Sequence, residues 1–303
     1  MQQKIYEMKD LPEMKRPFEV DPIDYPFKDH WLSYGDGYIH YVDEGIGPSV
    51  LLLHGNPTWS YIYRDIIKEL RAESRLVALD YPGFGMSKAP SGYGFTPKEH
   101  SEVVAGFVEH LRLQNLVLVV QDWGGPIGMN FAVGHRDNLR GFVIMNTWAW
   151  PSSRLQNLFS LIMGGWPLGY WLQTRRNYFA KSMLPDGIHH KERVTAALRR
   201  AYVDPFPTPS SRKPTWIFPG QIRKAHRWLA SLEAQLPALS DVPAYILWGK
   251  QDAPGFPLSE IDRWRRYIKN SESEVLDDAG HSVQEDRPEK VSAAIRRVLN
   301  RTK

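Results

Sequence analysis

The sequence of 303 residues contains no cysteine, which excludes disulfide bonds, thiolate metal sites and cysteine nucleophiles. It also lacks an apolar run of roughly 18 residues, the length needed to span a bilayer. Its opening segment has no apolar block of the kind that a secretory signal carries. We therefore expect a cytoplasmic protein with no membrane partner.

A strong charge of one sign is missing as well. The formal net charge is only +4, and the basic residues fall in scattered pairs such as Arg175-Arg176 and Arg296-Arg297. We interpret these pairs as solvated helix faces and expect no nucleic-acid partner. The pair His189-His190 has no carboxylates at metal-ligand spacing, so we expect no metal site there.

Short apolar runs recur between segments of helical character, and 42% of the residues are hydrophobic. The runs occupy residues 49–53, 76–79, 116–120, 142–145 and 244–248. Near-continuous hydrophobicity indicates strands that are covered on both faces, and alternation with helices is typical of a parallel sheet. Helices are predicted at about 61–70 and 97–111. The sequence therefore predicts an α/β fold with a mostly parallel central sheet flanked by helices.

The regular alternation is broken at two places. Residues 38–42 alternate with period two after Gly35-Asp36-Gly37, which predicts an antiparallel hairpin at the start of the sheet. Between residues 148 and 218 the strand pattern stops, and aromatic, arginine-rich helical pieces are broken by prolines. We predict a helical cap domain at 148–218, inserted into a core made of 1–147 and 219–303.

A strand at residues 116–121 runs directly into Asp122-Trp123-Gly124-Gly125. A strand, a tight turn and a glycine-rich helix start form the layout of a nucleophile elbow, which places one side chain above the sheet. Val120 departs from the usual pattern, which has a small residue at that position. The alternative is an aspartate that only caps the helix, but a cap explains neither the tryptophan nor the glycines. We interpret Asp122 as the nucleophile.

Two further segments complete a set of catalytic residues. His281 follows Gly280 on a loop that enters the last helix, about 30 residues after Asp252, and the order nucleophile, acid, histidine is the one this layout uses. We assign His281 as the base. Asp252 follows the strand at 244–248, whereas the other strand end offers Asn146, whose neutral amide cannot stabilise an imidazolium. Asp252 is therefore the predicted acid, and Asp80 is predicted to fix a loop.

A third segment, His54-Gly55-Asn56-Pro57-Thr58-Trp59, follows the strand at 49–53. In this layout such a loop lends a backbone N–H group to the site, which places Asn56 opposite the nucleophile.

Taken together, residues 54–64, 80–87, 121–128, 248–252 and 280–288 resemble the haloalkane dehalogenases of the α/β-hydrolase superfamily. The resemblance covers nearly the whole chain and is weakest across the cap. It implies an α/β-hydrolase fold and a small halogenated alkane as substrate. With Asn56 and Trp123 as halide ligands, the chain is similar to the third subgroup of the family. In the first subgroup a cap tryptophan supplies the second ligand, which leaves Trp148, Trp150, Trp166 and Trp171 open.

The resemblance implies a reaction without metal or cofactor. Asp122 displaces the halide and forms an alkyl ester, and water activated by His281 cleaves the ester while the backbone N–H groups of Asn56 and Trp123 hold the oxyanion. Epoxide hydrolases share the aspartate, the base and the cap but use cap tyrosines, for which Tyr170, Tyr178 and Tyr202 are available. The third hypothesis is a non-catalytic relative that only binds a ligand.

Overall fold

The computed structural model describes residues 7–252 and 255–301, and within them the chain forms one sheet of eight strands. The strands are β1 (His30–Tyr34), β2 (Gly37–Glu44), β3 (Ser49–Leu53), β4 (Arg75–Leu79), β5 (Leu116–Asp122), β6 (Leu139–Thr147), β7 (Ala244–Gly249) and β8 (Ser271–Leu276). They lie in the order β1-β2-β4-β3-β5-β6-β7-β8. The apolar runs seen in the sequence are therefore the central strands.

Pairing in the sheet follows the predicted scheme. Strands β1 and β2 form an antiparallel hairpin, and β2 also pairs antiparallel with β4. All other neighbours are parallel, for example β3 with β5, where Leu51 lies opposite Leu118. Both side chains are fully buried, because helices cover both faces of the sheet. The mostly parallel α/β fold is confirmed.

Helices account for most of the remaining regular structure. They are α1 (Arg64–Leu70), α2 (Pro97–His110), α3 (Gly124–Gly134), α4 (Arg154–Met163), α5 (Leu168–Tyr170), α6 (Leu184–Gly187), α7 (Ala196–Val203), α8 (Lys213–Lys224), α9 (His226–Gln235), α10 (Ser259–Tyr267), α11 (Val283–Asp286) and α12 (Pro288–Arg301). Two π-helical turns, Trp171–Arg175 and Phe179–Met183, lie between α5 and α6. The predicted helices at 61–70 and 97–111 correspond to α1, with the 3-10 turn Ser60–Tyr63 before it, and to α2.

Between the end of β6 at Thr147 and the start of β7 at Ala244 the chain is helical. This is the segment in which the sequence predicts a cap. The predicted boundary between residues 218 and 219 falls inside α8, and the division into 1–147, 148–218 and 219–303 stays a prediction. None of the helices in the described ranges is long and apolar enough to cross a membrane.

A buried ion pair and a phenol join α7 to the core. Arg64 donates to both carboxylate oxygens of Glu285, at 2.6 and 2.8 Å, and the hydroxyl of Tyr202 donates to the same carboxylate. Glu285 is fully buried, so removing either donor leaves a buried charge with less compensation. The segment carrying α7 is thereby fixed to α11, which directly follows the His281 loop.

Asp80 fixes a loop, as the sequence predicts. Its fully buried carboxylate accepts hydrogen bonds from the backbone N–H groups of Ser60 and Met86, at 2.8 and 2.9 Å, and from His40 Nδ1 at 2.8 Å. Three partners satisfy a carboxylate that would otherwise be costly to bury. The loops after β3 and β4 are therefore held together at the carboxyl end of the sheet.

Candidate active site

Asp122 ends β5 and lies in the left-handed region of backbone space, with φ of +50°. This conformation is uncommon for a residue with a side chain and is stable only when the surroundings enforce it. Helix α3 begins two residues later. The sharp turn lifts the carboxylate off the carboxyl end of the sheet, which is the geometry of the predicted nucleophile elbow.

Glycines allow other backbone to approach this turn closely. A Cβ atom on Gly55 would lie only 2.5 Å from Cβ and Oδ1 of Asp122, and one on Gly124 would lie 2.2 Å from the carbonyl oxygen of Leu53. Neither position has room for a larger residue. The loop after β3 therefore lies directly against the carboxylate.

The loop after β3 directs a backbone N–H group at Asp122. The N–H of Asn56 donates to Asp122 Oδ1 at 2.8 Å. His54 fixes the preceding peptide, because its Nδ1–H donates to the Gly55 carbonyl at 2.8 Å and its Nε2 accepts from the N–H of Tyr81 at 3.0 Å. Burial lowers the pKa of His54 to about 4, so the ring is neutral and keeps this pattern of one donor and one acceptor.

His281 lies between two carboxylates. Its Nδ1–H donates to Asp252 Oδ2 at 2.6 Å, and its Nε2 lies 3.5 Å from Asp122 Oδ2. Asn146 supports the acid, since its side-chain N–H donates to Asp252 Oδ2 at 2.9 Å while its Oδ1 accepts from the N–H of Gly249 at 2.8 Å. The three residues that the sequence assigns to catalysis are thus in one place, in the order of a hydrolytic triad.

Burial lowers the pKa of His281, but the charges of Asp252 and Asp122 outweigh that effect and raise the pKa to about 10. The side-chain nitrogen of Gln121 lies 2.9 Å from His281 Nε2. The phenyl ring of Phe256 stacks on the imidazole at 5.1 Å. The protonation of His281 therefore depends on the charge of Asp122.

A cavity of about 510 Å³ opens above Asp122, a size that suits a small ligand. Asp122, Asp252 and His281 line it together with mostly apolar side chains. These apolar side chains include Leu155, Phe159, Phe179, Leu184, Pro219 and Ile222 from the helical insert and Phe256 from the core. In the described ranges no three His, Asp or Glu side chains are grouped as ligands for a metal ion.

Asn56 and Trp123, the predicted halide ligands, both line this cavity. Of the four tryptophans left open by the sequence, only Trp148 is among its described lining residues; Trp166 and Trp171 are exposed. The Trp148 ring packs edge-on against Trp123 at 4.8 Å. Its buried Nε1 has no hydrogen-bond partner among the described residues, and such an unpaired donor costs about 1–3 kcal/mol unless a ligand accepts from it.

The tyrosines considered for an epoxide hydrolase lie elsewhere. Tyr202 donates its hydroxyl to Glu285, and the ring of Tyr170 packs against Trp166 and Trp216. Neither these two nor Tyr178 belongs to the lining of the cavity, as far as the described residues define it.

Two polar residues at the site were missed by the sequence reasoning. Gln121 also donates to the His281 carbonyl at 3.0 Å, and Asp286 accepts from the N–H groups of Gly280, His189 and His190. Asp286 thereby joins the His281 loop to the helical insert. The only sequence signal for Gln121 was its position next to Asp122. The only signal for Asp286 was that it lies within the 280–288 motif.

Comparison with known proteins places the chain in a family. Residues 48–288 match the family model described as alpha/beta hydrolase fold. Haloalkane dehalogenase 2 of Mycobacterium tuberculosis is 42% identical over 284 residues, covering 93% of this chain and 98% of the relative. The cis-3-alkyl-4-alkyloxetan-2-one decarboxylase of Shewanella oneidensis is 31% identical, covering 91% of this chain and 90% of the relative.

A solved structure shows the same similarity. The haloalkane dehalogenase DatA from Agrobacterium tumefaciens C58 superposes with a TM-score of 0.80 at 26% identity, covering 91% of this chain and 97% of that one.

Proposed function

Since this chain belongs to the haloalkane dehalogenase family of the α/β-hydrolase fold, we propose that it hydrolyses small haloalkanes to an alcohol, a halide ion and a proton through an ester on Asp122. Its apolar cavity suits such substrates.

In the first step a carboxylate oxygen of Asp122 attacks the carbon that bears the halogen. The carbon–halogen bond breaks as the carbon–oxygen bond forms, giving an alkyl ester and a halide ion. The Asn56 N–H bond to Oδ1 and the proximity of His281 to Oδ2 orient the carboxylate. Holding the nucleophile in one orientation removes much of the entropic cost of the reaction.

In the second step water attacks the carboxyl carbon of the ester. His281 takes a proton from the water while the backbone N–H groups of Asn56 and Trp123 stabilise the oxyanion. As the tetrahedral intermediate collapses, the imidazolium gives its proton to the departing alkoxide, and the carboxyl group of Asp122 loses the second proton of the water to solvent, which leaves the alcohol and the carboxylate. Asp252 stabilises the imidazolium that forms. Esterification makes Asp122 neutral, which removes a charge that raises the pKa of His281. With its pKa lowered, the ring releases its proton to solvent, and the neutral imidazole is the form that can accept a proton from water when the ester is hydrolysed.

The leaving halide needs hydrogen-bond donors, because an unsolvated anion in an apolar cavity is costly. The indole N–H of Trp123 and the side-chain amide of Asn56 are the proposed donors. The unpaired indole N–H of Trp148, packed against Trp123, is a third donor.

One observation carries the choice of reaction: the described lining of the cavity combines the aspartate with tryptophans and includes no tyrosine. An epoxide hydrolase needs a phenol that protonates the opening oxygen, and Tyr202 is instead bound to Glu285. A halide leaves as a stable anion and needs only N–H donors.

The oxetanone decarboxylases give a second candidate. Two of them are 31% and 34% identical to this chain, and their named substrates are strained four-membered esters that the same aspartate has the chemistry to open. The higher identity of 42% to the dehalogenase favours haloalkanes.

The test is a panel of 1-bromobutane, 1,2-dibromoethane, styrene oxide and a cis-3,4-dialkyloxetan-2-one, with the Asp122→Ala variant as a blank. We expect bromide release from both bromoalkanes that requires Asp122. Opening of the epoxide or decarboxylation of the oxetanone without bromide release would assign the site to the corresponding alternative. A protein that binds these compounds and converts none would be the non-catalytic relative.

A further inference from the structure

The helical insert carries most of the exposed large apolar side chains of the described residues. We define the outer cap face as Leu158, Leu161, Ile162, Trp166, Leu168 and Trp171, all of which are exposed. Trp166 is 73% exposed and Trp171 is 48% exposed. Single exposed apolar residues are ordinary, whereas a contiguous group marks an interaction surface. We propose that the outer cap face binds the surface of a membrane that contains acidic phospholipids.

The six residues lie on α4 and on the segment that directly follows it. Leu158, Leu161 and Ile162 lie three and four positions apart on α4, so they share one side of the helix. The chain then folds back on the end of α4, since a Cβ atom on Gly169 would lie 2.6 Å from the carbonyl oxygen of Ile162. Leu168 and Trp171 flank Gly169 in this returning segment. The outer cap face therefore combines a leucine-rich helix side with two tryptophans, the side chains that enter the interface of a bilayer.

The charged residues near this face indicate what binds to it. Residues 151–185 contain Arg154, Arg175, Arg176 and Lys181 and no aspartate or glutamate. Residues 205–232, which include α8, also contain no acidic residue. Helix α8 lies against the end of α4, where a Cβ atom on Gly164 would be 2.2 Å from the N atom of Gly220. An apolar surface carried by segments whose only charged residues are basic fits an anionic lipid surface.

A second copy of the chain fits less well, because a symmetric contact through this face would bring the same cations of two copies together. A spanning helix is excluded for the described residues, so the contact lies at the lipid surface.

The outer cap face continues into the cavity wall. Leu155 lies on the exposed side of α4 and also lines the cavity, which Phe159 of the same helix lines as well. A bound bilayer would therefore lie beside the cavity, where an apolar substrate dissolved in lipid can enter. This consequence for substrate supply rests on the proposed function, while the lipid contact rests on the surface alone.

The experiment is co-sedimentation of the full chain with vesicles of phosphatidylcholine, with and without phosphatidylglycerol, at low and high salt. We expect binding that needs phosphatidylglycerol and weakens at high salt. Arg175→Gln with Arg176→Gln should weaken partitioning by about 5-fold for each arginine. Leu158→Gln with Leu161→Gln should weaken it by about 5-fold for each leucine, since about half of each side chain is exposed.

Ile46→Gln is the matched control, because Ile46 is an exposed apolar residue between β2 and β3, and it should bind as the parent does. Melting curves verify that all variants fold. No sedimentation of the parent, or equal sedimentation of parent and both double variants, would overturn the proposal. Light scattering without vesicles provides a further check: a parent dimer that both double variants abolish would assign the face to a second copy and overturn the lipid contact. No substrate is present, so the result is independent of the proposed reaction.

Discussion

His281 Nε2 lies 3.5 Å from Asp122 Oδ2, so the proposed base stands beside the charge that the first step of the reaction removes. The pKa of His281 is raised to about 10 because the carboxylates outweigh the effect of burial. In the free enzyme the ring is therefore an imidazolium paired with Asp122. Ester formation breaks this pairing and lowers the pKa, since a nearby negative charge favours the protonated ring.

Replacing Asp122 by asparagine imitates the neutral ester. We expect the pKa of His281 in Asp122→Asn to be lower than in the parent, as measured by NMR of the ring protons. Asp277→Asn is the control, because Asp277 is exposed and paired with Lys250, and it should leave the pKa of His281 unchanged. The same relationship predicts that hydrolysis of the ester, followed in a single turnover, becomes faster as pH rises and then levels off. An unchanged or higher pKa in Asp122→Asn would contradict the coupling.

Asp252→Asn should keep the fold and lower turnover by roughly 10⁴-fold, the loss typical of a triad acid. The hydrogen bond of 2.6 Å to His281 Nδ1 would lose its charged partner, so the imidazolium of the second step would be less stable. Rapid-quench measurements should show a nearly intact first release of halide and a slow release of alcohol. Normal alcohol release from this variant would transfer the role of acid to another residue.

Halide binding depends on the N–H donors of the cavity. Each hydrogen bond to an anion contributes about 1.5–3 kcal/mol, so losing one donor should weaken bromide binding by roughly 10- to 150-fold. We expect this loss in Asn56→Ala, in Trp123→Phe and in Trp148→Phe, where the ring is kept and the N–H is removed. Calorimetric titration with bromide measures it.

The control for the halide donors is Trp150→Phe. Trp150 packs against Trp264 at 4.8 Å and is not among the described lining residues of the cavity. Its replacement should leave bromide affinity unchanged. If Trp148→Phe binds bromide as tightly as the parent does, Trp148 is not a halide donor, and Asn56 and Trp123 remain the proposed donors.

Gly55 is predicted to be irreplaceable at the site. The Cβ atom of Gly55→Ala would lie 2.5 Å from Asp122 Oδ1, and the carboxylate would have to move. A misplacement of about 1 Å at a reacting group can cost roughly 100-fold in rate, so we expect the alkylation step to slow by about that factor. Gly134→Ala is the control, because nothing lies within 4 Å of the added atom. Alkylation at the parent rate in Gly55→Ala would contradict the assigned orientation of Asp122.

The sequence was sufficient for the central strands, because each carries a local pattern, and local patterns also led to the residues proposed for catalysis. Strand β5 is a continuous apolar run and ends in the elbow at Asp122. Strand β8, Ser271–Leu276, was missed, since its sequence SESEVL is polar and it lies at the edge of the sheet with partly exposed residues. Nothing in the sequence of β3 or β4 indicates that β4 lies between β2 and β3 in the sheet.

Contacts between distant parts of the chain could not be predicted from local patterns. The unpaired N–H of Trp148, the approach of Gln121 to His281 and the three backbone partners of Asp286 arise only when the helical insert and the core pack together. From the sequence, Trp148 was one of four tryptophans considered as a possible halide ligand, with no basis for choosing among them. The expectation of no membrane partner rested on the lack of a spanning segment, and the outer cap face emerges only when α4 and α5 pack side by side.

The most direct test of the covalent step is to stop the reaction after it. His281→Phe removes the proposed base, so a bromoalkane should alkylate the protein while the ester survives. Intact-mass spectrometry after incubation with 1-bromobutane should show the addition of one butyl group, and peptide mapping should locate it on Asp122. The variant Asp122→Ala with His281→Phe is the control and should gain no mass. An adduct on another residue, or parent-like turnover by His281→Phe, would contradict an ester on Asp122 that is hydrolysed by water activated by His281.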